Sequence, residues 1–147
     1  GSYIRGKPSS SDIDMVLINK DNMDVWNYVF NTINKKSDKI KILEPFAHGT
    51  DKIGTLIQLL NEKVTVKIDI FLCDAENYIF TLLFAIGSGK FNMRMRSVAK
   101  RKGYLLNNKG LFKILANGDL EKLNLKTEEE IFYELGMIYR KPAERIL

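Results

Sequence analysis

Two aspartates one residue apart open an apolar run: in SSSDIDMVLI, residues 9–18, Asp12 and Asp14 precede Met15, Val16, Leu17 and Ile18. In an extended strand residues i and i+2 share a face, so both carboxylates point the same way, about 6–7 Å apart along the chain. Like charges at the mouth of a stretch that wants burial point to a cation between them. A third acid, Asp69, lies inside the alternating run VTVKIDIFL, residues 64–72, and joins the pair if the two strands are neighbours. With one histidine, His48, and one cysteine, Cys73, the chain has no His-rich or Cys-based zinc site. Three carboxylates suit a hard, oxygen-preferring ion such as Mg²⁺. Two such ions about 3.5–4 Å apart clamp the attacking and leaving oxygens of an in-line phosphoryl displacement.

A lone D-x-D is most often a strand-end decoration, so its neighbours decide its meaning. Upstream, GSYIRGKPSSS supplies Gly1, Ser2 and Ser9 to Ser11, whose N–H and hydroxyl groups offer close backbone approach, and Arg5, a fork-shaped phosphate ligand. The plain alternative is a flexible Ser/Gly loop. Downstream, Arg94, Arg96, Lys100, Arg101 and Lys102 supply cations with no intervening acid, either a solvated helix face or a grip on phosphates. The whole chain carries +5 and favours polyanionic partners only modestly.

The elements that position these residues follow from periodicity. At 147 residues and 45% hydrophobic composition the chain suits one ordinary domain, or a small one with an appended lobe. Residues 12–18 read as a strand, apolar on both faces and therefore central. Asp24 to Asn34 reads as a helix with Val25, Tyr28, Val29, Thr32 and Ile33 on one face. Lys39 to Phe46 alternates up to Pro45, and the runs 54–60 and 64–72 flank Asn61-Glu62-Lys63 as a hairpin. Its second strand buries Val64, Val66, Ile68, Ile70 and Leu72 and turns Lys67 and Asp69 to the other face.

Beyond Asp74 the pattern is helical over 77–86, broken by Gly87-Ser88-Gly89, and helical again over 90–102 with Phe91, Met95 and Val98 in phase. A hairpin over 104–115 turns at Asn107 to Gly110, and Thr127 with Glu130 forms a capping box at a last helix over 127–135. No apolar stretch approaches the roughly 20 residues of a membrane span, and no signal-peptide pattern opens the chain. An intracellular protein without a membrane partner is expected.

The pattern G-S-x-x-R-G, a short spacer, S-S-x-D-x-D and a later I-D-I resembles the polymerase-beta-type nucleotidyltransferases. The segments LLFAIGSGKFNMRMRSVAKRKGYLLNNKGLF and EEEIFYELGMIYRKPAERIL narrow the resemblance to the family X DNA polymerases. It covers essentially the whole chain. It implies an α/β (α+β) fold: a nucleotidyltransferase palm with a mixed sheet over residues 1–73, expected to be incomplete at its N-terminal side, and a small C-terminal α/β nucleotide-selecting subdomain over 74–147.

The resemblance implies that Asp12, Asp14 and Asp69 bind two Mg²⁺ ions, with Mn²⁺ able to substitute, and that Asp69 helps to activate a primer 3′-hydroxyl. Ser2, Arg5, Ser10 and Ser11 match positions that hold nucleotide phosphates, Ser11 standing where the family commonly has Gly. Phe84, Ala85, Gly87 and Asn92 fall where the sugar and minor-groove edge of the incoming nucleotide are lined, and Asn92 matches a reader of the acceptor common to all bases. Arg96 matches a contact to the templating nucleotide or its neighbour; Arg94, Lys100 and Lys102 extend the DNA-binding surface. Ala85 replaces an aromatic and removes bulk near the sugar, and Gly89 thins the contacts to the base. Expected partners are a dNTP and gapped or primer-template DNA, with the protein a monomer acting in repair, in the nucleus or at a replication site of a eukaryotic or viral host. Two other readings use the same residues: a template-independent or small-substrate nucleotidyltransferase, and a catalytically silent DNA-binding module.

Overall fold

The computed structural model describes residues 1–19 and 24–146. Two compact units divide them, one formed by Pro8–Ala75 and the other by Gly1–Lys7 together with Glu76 onward. The first seven residues thus associate with the C-terminal half, although the expected first unit included them; a backbone association across some 80 residues leaves no trace in local periodicity.

The sheet unit runs β1 (Asp12–Ile18), α1 (Val25–Lys36), β2 (Ile40–Ile42), β3 (Ala47–His48), β4 (Lys52–Leu59) and β5 (Val64–Cys73). Its strands order as β1-β5-β4-β2, with β3 paired to β4. Only β1 and β5 run parallel; the remaining pairs are antiparallel, so the sheet is mixed. The hairpin forms where the alternation placed it, joining β4 to β5.

Among the described residues β1 has a single partner strand and lies at the edge, a correction to the central position expected from its two apolar faces. Ile13 and Met15 remain 47% and 39% exposed there, and only Leu17 packs with the core. An apolar run of this length is compatible with either position, because periodicity does not report how many neighbours a strand has.

One sheet face carries the core: Ile42, Ile53, Ile68 and Ile70 pack with Trp26 of α1, joined by Leu17, Val29, Phe30, Ile33, Ile57 and Leu72. The inward face of α1 is therefore Trp26, Val29, Phe30 and Ile33, whereas Tyr28 is exposed. Asp24 caps the helix by accepting the Asn27 N–H at 3.1 Å. Asn34 clamps the helix to β2, donating to Ile42 O at 2.9 Å and accepting from Ile42 N at 2.8 Å.

The second unit runs α2 (Tyr78–Ile86), α3 (Gly89–Arg101), β6 (Tyr104–Asn107), β7 (Gly110–Ile114), β8 (Leu120–Lys122) and α4 (Glu128–Glu134). The expected hairpin is the β6–β7 pair, and β8 extends it to three strands. Phe91, Met95 and Ala99, spaced four apart, are fully buried along α3, with Val98 packed beside them. They meet Phe80, Leu83, Leu106, Leu111, Ile131, Phe132 and Leu135. Thr127 accepts the Glu130 N–H at 3.2 Å, while the Glu130 carboxylate accepts from Lys126 N at 2.9 Å, one residue before the position a reciprocal box would use.

The buried cation Arg145 ties the chain end into this core. Its guanidinium meets Glu128 at 2.6 Å, donates to Arg140 O at 2.9 Å and stacks on Phe132 and Tyr139. Its carbonyl accepts the Ser88 N–H at 3.0 Å, so the tail holds the break between α2 and α3. No described helix is long and apolar enough to cross a membrane.

Candidate functional site

Strand register places the acids. In the parallel pair, Asp14 lies opposite Asp69 and Asp12 opposite Lys67. Because Ile68, Ile70 and Leu72 face the core, Asp12, Asp14, Lys67 and Asp69 all share the other face. On the far side of β5, Gly54 of β4 lies opposite Asp69. Asp14, Asp69 and Gly54 therefore form a row across three strands at the usual spacing of about 4.7–4.9 Å per strand.

Asp69 is 13% exposed at its side chain and stands between two ammonium groups: Lys52 Nζ is 4.0 Å from Oδ1 and Lys67 Nζ 3.9 Å from Oδ2. These are long, partly exposed pairs, weak one at a time, yet they place positive charge on both carboxylate oxygens. Among the described residues no three His, Cys, Asp or Glu side chains close into a group able to hold a metal. The backbone thus aligns the three expected acids on one face, with Asp14 and Asp69 directly adjacent, while their side chains do not converge as a preformed cage.

The residues expected at phosphates divide between the units. Ser10 and Ser11 belong to the sheet unit, where the Ser10 hydroxyl donates to Asp12 O at 2.8 Å. Ser2 and Arg5 belong to the other, in a turn closed by Gly6 N to Tyr3 O at 2.9 Å and Lys7 N to Ser2 O at 3.1 Å. Arg5 Nη1 donates to Ile86 O, and its buried Nε has no hydrogen-bond partner. Buried donors without a partner are rare in folded proteins.

Around the α2–α3 break the expected nucleotide-lining residues do come together. Asn92 Nδ2 donates to Phe84 O at 3.1 Å, and the Arg96 guanidinium lies 4.3 Å from the Phe84 ring centroid. Gly87 caps α2 with φ +73° and ψ −154°, a backbone region essentially confined to glycine. A Cβ there would approach Arg5 Nη1 to 2.9 Å. Ala85 is buried. Arg94, Arg96, Lys100 and Lys102 are all exposed, and Ser88 caps α3 by accepting the Phe91 N–H at 3.2 Å.

Sequence reasoning missed Lys52, Gly54 and Phe46 as neighbours of Asp69. Lys67 was legible, since it alternates in phase with Asp69. The other three depend on hairpin register and on the return of β3 against β4, which no local pattern encodes.

A family model described as DNA polymerase beta thumb matches residues 73–146. Over 148 residues the chain is 32% identical to Repair DNA polymerase X of African swine fever virus, covering 99% of this chain and 79% of the viral protein. Over 164 residues it is 27% identical to DNA polymerase lambda of Arabidopsis thaliana, covering 100% of this chain and 31% of the plant protein. A crystal structure of Leishmania infantum polymerase beta in a ternary P/T complex matches with a TM-score of 0.78 at 25% identity, covering 100% of this chain and 66% of that one.

Proposed function

Because the chain belongs to the family X DNA polymerases, we propose that it extends a primer 3′-hydroxyl in short DNA gaps, choosing each dNTP by the template base and releasing pyrophosphate, in DNA repair. The observation that carries this reading is the row of Asp14 beside Asp69, with Asp12 on the same face of a mixed sheet. The sheet unit is the palm and the helical unit the nucleotide-selecting subdomain.

An all-oxygen donor set on one sheet face fits hard divalent ions, whose binding would displace the long lysine contacts of Asp69. Asp12, Asp14 and Asp69 would hold Mg²⁺, or Mn²⁺ in its place. When bound, the ions supply charge neutralisation for phosphoryl transfer.

The chain's own groups take the remaining roles. Asp69 accepts the proton of the primer hydroxyl as its oxygen bonds to the α-phosphorus and the bond to the departing pyrophosphate breaks. Arg5, Ser2, Ser10 and Ser11 bind the triphosphate; the unpaired Arg5 Nε supports this role. Asn92, Phe84, Ala85 and Gly87 line the sugar and base edge of the nucleotide. Arg96 contacts the template side, and Arg94, Lys100 and Lys102 bind DNA phosphates.

Incorporation of a dNTP into a one-nucleotide gap, compared between the wild type and Asp69→Asn, tests the assignment. Mg²⁺-dependent incorporation lost in the variant, with folding and DNA affinity retained, is expected. Incorporation at the wild-type rate by Asp69→Asn would overturn the role of that carboxylate.

A further inference from the structure

Phe46 is a large aromatic left 59% exposed beside the carboxylate row. Its backbone N–H donates to Gly54 O at 3.0 Å, fixing the chain just before β3 against β4. The ring lies over Gly54: a Cβ at that position would come to 2.8 Å from Cε2 and 2.9 Å from Cζ, and to 3.5 Å from Asp69 Oδ1. The ring and the carboxylate are thus neighbours only because Gly54 carries no side chain. Lys67 Nζ stands 5.9 Å from the ring centroid and 3.9 Å from Asp69 Oδ2. Lys52 approaches the same carboxylate from the other side.

Core filling does not account for Phe46. It lies on the face opposite the Trp26 cluster and keeps most of its surface in water. An exposed apolar plate, two ammonium groups and a carboxylate lie within the breadth of one nucleotide. The plate suits the apolar edge of a deoxyribose, the ammonium groups its phosphodiester, and the carboxylate its 3′-hydroxyl.

We infer that Phe46 is a primer-positioning residue: its ring, seated on Gly54, packs against the sugar of the 3′-terminal primer nucleotide, while Lys52 and Lys67 contact that nucleotide's phosphate. The inference rests on the polymerase reading of the carboxylate face. Against an aromatic ring the C2′ methylene of deoxyribose is well accommodated, whereas a ribose 2′-hydroxyl is buried without a partner. Phe46 therefore sets a preference for a deoxyribonucleotide at the primer end, separate from selection of the incoming nucleotide at Ala85.

The test compares gapped duplexes whose primers end in a deoxyribonucleotide or a ribonucleotide, by equilibrium affinity without dNTP and by single-turnover extension. The wild type should favour the deoxy end by about tenfold, within the range that apolar contacts achieve. Phe46→Ala should bring both ratios close to one while leaving the dNTP-to-rNTP preference unchanged. Gly54→Ala keeps the ring but pushes it aside, and should reproduce the loss. A purely structural role would lower thermal stability without moving the ratios. Unchanged ratios in Phe46→Ala would overturn the inference. A wild type that extends neither primer would defeat the polymerase reading, and the affinity ratio would still decide the role of Phe46.

Discussion

Asp69 gathers more of the site's chemistry than any other residue. It faces Asp14 across β5–β1, lies opposite Gly54 across β5–β4, and takes an ammonium group on each oxygen. Asp69→Asn keeps the shape but removes the proposed proton acceptor and one proposed metal ligand, so single-turnover incorporation should fall by at least about 10²–10⁴-fold, with DNA affinity unchanged. At Ala85 the expected consequence is in sugar choice: the missing aromatic bulk should give weaker exclusion of rNTPs than in Ala85→Phe, measured as the ratio of dNTP to rNTP incorporation. Gly87→Ala meets two obstacles, a backbone conformation costing a side chain about 1–3 kcal/mol and the contact with Arg5. It should lower stability in denaturant titration and weaken dNTP binding together; a variant that alters neither would separate Gly87 from both roles.

Among the elements, those with a clean period were legible: the β4–β5 hairpin, the break between α2 and α3, and the buried line along α3. Short or edge elements were not. β8 is three exposed residues with no alternation to read, and the edge position of β1 depends on which strands meet it. In α1 the choice between Tyr28 and Trp26 as the inward aromatic needed the position of the sheet. The three acids could be assigned to strand faces by alternation, and so could Lys67 beside Asp69, whereas Lys52, the other cation that flanks Asp69, depends on cross-strand register. The tail shows the same limit, because nothing local marks Arg145 as a buried residue held by Glu128 on α4. Removing one partner of a buried pair leaves the other uncompensated, so Glu128→Gln should cost about 3–5 kcal/mol. Chemical denaturation would show it, and a loss near zero would mean that water replaces the pair.

For the molecule as a whole, +5 net charge and the exposed cations of α3 imply that DNA binding rests on phosphate contacts. Affinity should fall linearly with log salt concentration, and Lys100→Gln should reduce the slope by about one contact without altering base preference. The chain spans 66% of the Leishmania polymerase chain it resembles, yet it contains both the carboxylate face and the Arg5–Gly87–Asn92 cluster. The proposed activity is template-directed, which sets it apart from DNA binding alone and from untemplated transfer. Its most direct test is Mg²⁺-dependent single-turnover incorporation on a one-nucleotide gap, with each template base offered each dNTP separately. The favoured dNTP should change with the template base to its Watson–Crick partner. Incorporation indifferent to the template, or DNA binding with none of the four nucleotides added, would contradict it.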